Sequence, residues 1–142
     1  MRAPGANGEL YVTDAQPEET YLVKVAEREG RFAGYERLPI RPGFGGQSNP
    51  AIAADGSYVI FDYQGGLMHV SFRKKDGTWG EAIDLAPHGF GQLASSPTIS
   101  ADGRYLFFKQ GEPTSVSGDS SNRDLYWVDI RVIENLRPKE DK

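Results

Sequence analysis

Asp55 and Asp102 stand 47 residues apart in a chain of 142, and each is followed by glycine. Paired carboxylates are the smallest set that can divide general acid from general base, so they are the first residues to weigh for chemistry. Their context assigns them to turns instead. Asx-Gly between apolar runs is the favoured two-residue hairpin turn, because Gly, Asn and Asp tolerate positive φ. His69 and His88 have no spaced partner that would complete a metal site. Ser95, Ser96 and Ser100 lie outside any nucleophile-elbow pattern, and no Ser-His-Asp arrangement can be read from spacing. Gly43-Phe44-Gly45-Gly46 lacks the Lys-Ser/Thr sequel and the helix of a phosphate loop, so it reads as a connector. Asp119-Ser120-Ser121-Asn122-Arg123-Asp124 carries oxygen ligands at partly calcium-like spacing, without the Gly at position six or the closing Glu, and reads as a polar loop. The sequence therefore offers no catalytic residue, no metal ligand and no cofactor site.

Composition narrows the class. Hydrophobic residues make up 38% and aromatics 11%, enough for a packed core rather than a disordered tail. Seventeen glycines and nine prolines suit many short strands joined by tight turns. Net charge is −4 with no basic block, which argues against a nucleic-acid groove. There is no cysteine, so disulfides and thiolate-ligated zinc are excluded. No apolar run reaches the roughly 20 residues of a membrane helix. Met1-Arg2-Ala3-Pro4-Gly5 opens no signal-peptide core.

Self-similarity organises the rest. The segment from Asn49-Pro50 to Phe61 returns from Ser96-Pro97 to Phe108, offset by 47, with a fainter echo in Asn7-Gly8-Glu9-Leu10-Tyr11-Val12. Asp76-Gly77-Thr78-Trp79 with Leu85 matches Glu29-Gly30-Arg31-Phe32 with Leu38 at the same offset. Short strands at Ala51–Ala53 and Thr98–Ser100 precede the Asp-Gly turns, and β-prone runs Tyr58–Asp62 and Tyr105–Lys109 follow them. Third strands are expected at Tyr21–Val25, Leu67–Phe72 and Leu125–Asp129, and fourth strands at Phe32–Leu38 and Trp79–Leu85. Four antiparallel strands in such a period make one propeller blade. The expectation is an all-β partial β-propeller of about three blades, in repeat units 1–46, 47–94 and 95–142. The first unit is expected to lack its innermost strand and the last its outer one, leaving about ten strands. Ile130, Ile133 and Leu136 are spaced for one face of a short C-terminal helix that stops near Pro138. Trp79 and Trp127 read as core anchors.

Ser96-Pro97-Thr98-Ile99-Ser100-Ala101-Asp102-Gly103-Arg104-Tyr105-Leu106-Phe107-Phe108 resembles the TolB-type, WD-repeat-like β-propeller repeat. Gly66–Gly80 and Asp124–Asp129 resemble its second half. The likeness is close over 47–129 and loose over 8–46. It implies a non-catalytic scaffold or binding segment of a bacterial cell-envelope protein, periplasmic or extracellular, with a protein or glycan partner. The alternative is a piece of a propeller-bearing hydrolase or lyase whose active site lies outside this chain. Three blades leave two faces without neighbours, so either further blades precede Met1, which the abrupt N-terminus favours, or copies associate to close the ring. Second-to-third-strand loops and inter-blade loops share one face of such a disc. Here they are Gln64–Gly66, Gln110–Asn122, Pro39–Ser48 and Ala86–Ser95. That face is expected to carry Arg41, Phe44, Gln47, His88, Phe90 and Gln92, with Phe44 and Phe90 also suited to pinning the connectors to the core.

Overall fold

The structure is a computed structural model that describes residues 2–4, 9–15, 20–40, 46–63, 67–90, 94–111 and 123–139. It is a partial β-propeller of three successive antiparallel sheets, one per repeat. The first sheet contains β1 (Arg2–Pro4), β2 (Glu9–Ala15), β3 (Thr20–Arg28) and β4 (Arg31–Arg37). The middle sheet contains β5 (Gln47–Ile52), β6 (Tyr58–Tyr63), β7 (Leu67–Phe72) and β8 (Ile83–Asp84). The last contains β9 (Ala94–Ile99), β10 (Tyr105–Gly111) and β11 (Arg123–Asp129), followed by α1 (Arg131–Glu134). Within each sheet, spatial order follows chain order, as expected of consecutive hairpins. Packing runs between successive sheets: β5 lies against β1, β2 and β3, and β9 against β5, β6 and β7.

Two strand expectations change. The first sheet does have an innermost strand, because Arg2, Ala3 and Pro4 pair with Val12, Tyr11 and Leu10. Proline is tolerated there because β1 is an edge strand. The described residues thus form eleven strands rather than about ten. The fourth strand of the middle sheet is shorter than Trp79–Leu85: only Ile83 and Asp84 form the strand, and Trp79 makes an isolated bridge to Arg73.

Turn geometry also differs. The Asp55-Gly56 and Asp102-Gly103 turns are four-residue loops. Ala53 donates its N–H to Tyr58 O, and Gly56 donates to Ala53 O, each at 2.9 Å. Ser100, Tyr105 and Gly103 repeat the pattern. Gly56 and Gly103 take φ of 76° and 73°, and each aspartate stands just before its glycine. The two-residue turn occurs at Glu29-Gly30, where φ is 55° and 75° between paired Arg28 and Arg31.

Strand alternation divides the core into two seams. In β6, Val59 and Phe61 join Tyr11, Leu22, Leu38, Ile40 and Ile52 between the first and middle sheets. Tyr58 and Ile60 point the opposite way, into a larger cluster with Val70, Phe72, Leu106 and Phe108. The middle sheet is therefore covered on both faces, which explains its continuous apolar runs. Helix α1 closes the rim of this second seam, where Ile130 and Ile133 are buried and Leu136 packs alongside. Asp129 starts the helix by accepting the Arg131 N–H at 2.9 Å and pairing with its guanidinium.

Candidate functional site

The least ordinary backbone lies in β5 and β9. Asn49 and Ser96 are 47 residues apart, both precede proline, and both hold positive φ, at 51° and 55°. Few non-glycine residues adopt that region, and a following proline disfavours it further. Both sit where strand pairing slips. The β5–β6 register shifts between Ser48 and Ala51, and the β9–β10 register shifts where Thr98 and Ser95 pair with Phe107 and Lys109. Each bulge turns a backbone N–H toward the preceding sheet. Asn49 donates to Thr13 Oγ1 at 2.9 Å, and Ser96 donates to both oxygens of Asp62 at 3.0 Å. The Asn49 side chain links the two by donating to Asp62 Oδ2 at 3.0 Å. A polar line through Thr13, Asn49, Asp62 and Ser96 thus crosses all three sheets.

Asp62 is 4% exposed, and its oxygens are taken by fixed donors, so it acts as a latch. The remaining buried polar side chains are engaged in the same way. His69 Nδ1 lies 2.8 Å from Leu67 O, and its ring contacts those of Phe61 and Tyr63. The Ser71 hydroxyl donates to Gly80 O at 2.7 Å, and Gln47 Nε2 donates to Ile40 O at 3.3 Å. Among the described residues, no buried side-chain nitrogen or oxygen lacks a partner, and no three His, Cys, Asp or Glu converge as metal ligands.

The turn aspartates are exposed and bonded to their own loops. Asp55 accepts from Ser57, Asp76 from Thr78, and Asp102 from Ser100 and Arg104. These bonds hold all three carboxyls below the usual carboxylate range. The largest cause is the side chain of Ser57, Thr78 or Ser100 respectively. Carboxyls poised to stay ionised are poor proton donors at neutral pH. Burial pushes the Tyr58 hydroxyl far above its ordinary value, so it too stays in one protonation state.

Three of the six residues expected on a binding face lie within the described residues. Of these, Gln47 and Phe90 are buried, the latter with its ring centre 5.2 Å from that of Phe108. Phe90 therefore pins its connector to the core. His88 is exposed on the 3-10 turn Ala86–His88. Arg41, Phe44 and Gln92 lie outside the described residues, as do Gly43–Gly45 and most of the polar loop from Asp119.

The exposed apolar surface lies elsewhere. On the last sheet, Leu125 is 70% and Trp127 63% exposed. Their strand partners Lys109 and Phe107 share that face, and Tyr105 meets the Trp127 ring edge-on at 5.4 Å. Trp127 is thus a surface residue rather than a core anchor. Trp79 packs against the first seam, edge-on to Tyr11 at 6.4 Å. At the opposite end, Phe32 and Tyr35 of the first sheet are also exposed. The repeat-equivalent tyrosines show what coverage does: Tyr11 and Tyr58 are buried against a following sheet, whereas Tyr105, with no sheet packed on that face among the described residues, is half-buried.

No protein-family model matches the chain, and no curated protein matches its sequence.

Proposed function

We propose that the chain is a non-catalytic scaffold segment of a TolB-type β-propeller in the bacterial cell envelope. It engages a protein partner through its terminal blade faces. The observation that carries this reading is the outward face of the last sheet, where Leu125 and Trp127 lie open beside Tyr105 and Phe107. Contiguous exposed aromatic and aliphatic side chains of this kind mark interaction surfaces. The equivalent face of the middle sheet is already used inside the molecule, where Tyr58 and Ile60 pack on the last sheet. A partner that supplies another sheet face would cover Trp127 in the same manner. Further blades and a second copy both have this chemistry. The bonded state of Asp55, Asp102, Asp62 and His69 fits a scaffold better than a hydrolytic centre.

Light scattering over a wide concentration series, with a hydrophobic dye as a second probe, tests the reading. The wild-type chain should associate or bind dye, and Leu125→Lys with Trp127→Lys should suppress both. A wild-type chain that stays monomeric at every concentration and binds no dye would refute it.

A further inference from the structure

A cleft of about 900 Å³ opens at the rim of the middle sheet, between the β7–β8 hairpin and the segment that follows α1. Five of its lining residues are cationic: Arg73, Lys74, Lys75, Arg137 and Lys139. Only Asp76 and Glu81 oppose them, in a chain whose net charge is −4. Asp76 is already committed to Thr78 in its turn. Among the described residues, Arg73, Lys74, Arg137 and Lys139 form no ion pair with a carboxylate.

Two of the cations are held in place. The Arg137 guanidinium lies 4.8 Å from the centre of the Phe72 ring and donates to Ser57 Oγ at 3.2 Å. Arg73 donates its Nε–H to Gly77 O at 3.2 Å, with its guanidinium 5.4 Å from the Trp79 ring centre. Stacking and one hydrogen bond fix each fork while leaving further N–H groups to offer. The cleft also has apolar lining, from Phe72, Ile83 and Pro138. One wall includes Ile83 of the two-residue strand β8, the outermost of its sheet, whose outer side bonds to no described backbone group.

We propose that this cleft binds an extended acidic peptide segment. Its carboxylates would pair with Arg73 and Arg137, an intervening apolar side chain would rest near Phe72 and Ile83, and its backbone would run along β8. Such a ligand uses all three features together, by strand addition with charge complementarity. An inorganic polyphosphate would use only the cations. The site is separate from the last sheet's outer face, so it stands or falls independently of that surface.

The test is fluorescence anisotropy on the full chain with a labelled peptide of alternating Glu and Val. An alternating Lys and Val peptide is the control, and inorganic tripolyphosphate is the competitor. The acidic peptide should bind saturably and weaken with added salt, and the lysine peptide should not bind. Arg73→Glu with Lys139→Glu should lower affinity about tenfold or more, since two attractive contacts become repulsive. If the double variant unfolds, Lys139→Glu alone, at an exposed position in the C-terminal segment, should still lower affinity about threefold. Equal binding of both peptides, no saturable binding, or affinity unchanged by charge reversal would overturn the proposal. So would tripolyphosphate binding in the cleft without binding of the peptide.

Discussion

Thr13 in the first seam and Asp62 in the second do the same work: each accepts the N–H of a residue held at positive φ in the next sheet's innermost strand. The first acceptor is a neutral hydroxyl. The second is a buried carboxylate that also receives the Asn49 side chain. The apolar surroundings differ to match. The first seam is a compact cluster around Tyr11, Leu22 and Phe61, whereas the second is larger and has α1 drawn over its rim. The repeat therefore fixes where a latch must be and leaves its chemistry free. What is required at that place is an acceptor, because a bulged N–H turned inward and left unbonded would be costly.

Three substitutions would break or sharpen that comparison. Asp62→Ala should have the largest effect, about 3 kcal/mol by urea unfolding, since it removes charge-assisted bonds and strands the Ser96 N–H. A loss below about 1 kcal/mol would mean that the second seam does not depend on its carboxylate. Thr13→Val should cost less, about 1.5 kcal/mol, because it removes one neutral bond and leaves the half-buried Asn49 N–H without its acceptor. If the two seams were held equally, the two variants would melt together. Because Asn49 touches both acceptors, the double variant should also depart from additivity.

The smallest effect is expected outside both seams. Asp55→Asn should stay within about 0.5 kcal/mol at neutral pH, because the amide oxygen can still accept the Ser57 N–H. Acid should separate the two proteins. The Asp55 carboxyl is held below its ordinary 3.8, so the stability it contributes is present above that value and fades as pH falls through the lowered one. Urea midpoints followed downward from pH 4 should show a shallower decline in Asp55→Asn. Parallel declines would mean that the turn carboxylate is not linked to folding.

Much of the fold was legible because one period fixed several landmarks at once. Tyr11, Tyr58 and Tyr105 recur at that spacing, and so do the strands that carry them. Ile130, Ile133 and Leu136 announced α1 by their spacing alone, and the structure places all three against the second seam. Strand β1 escaped because three residues, one of them proline, carry no β signal. The latch escaped for a different reason. Asn49-Pro50 and Ser96-Pro97 were visible as a recurrence, but a residue before proline ordinarily favours extended backbone, so its positive φ could not be read locally. Asp62 looked like a strand end until the third sheet placed Ser96 beside it. Trp127 was misplaced because its type speaks for burial, while its exposure depends on whether another sheet follows. The cationic cleft needed the fold as well, since Arg73-Lys74-Lys75 and Arg137 meet only when the segment after α1 returns to the middle sheet.

The stacking of each sheet on its predecessor has a consequence for how the chain is made. Every pairing inside a sheet joins neighbours in sequence, so a hairpin can close soon after it leaves the ribosome. The docking of β5 on the first sheet, and of β9 on the middle one, is the step that spans greater distance, and in each case the receiving surface has been synthesised first. Synthesis and assembly thus run in one direction. Leu125 and Trp127 belong to the last of the three described sheets to be made, so their outward face is the one receiving surface in this order of assembly on which no described sheet has docked.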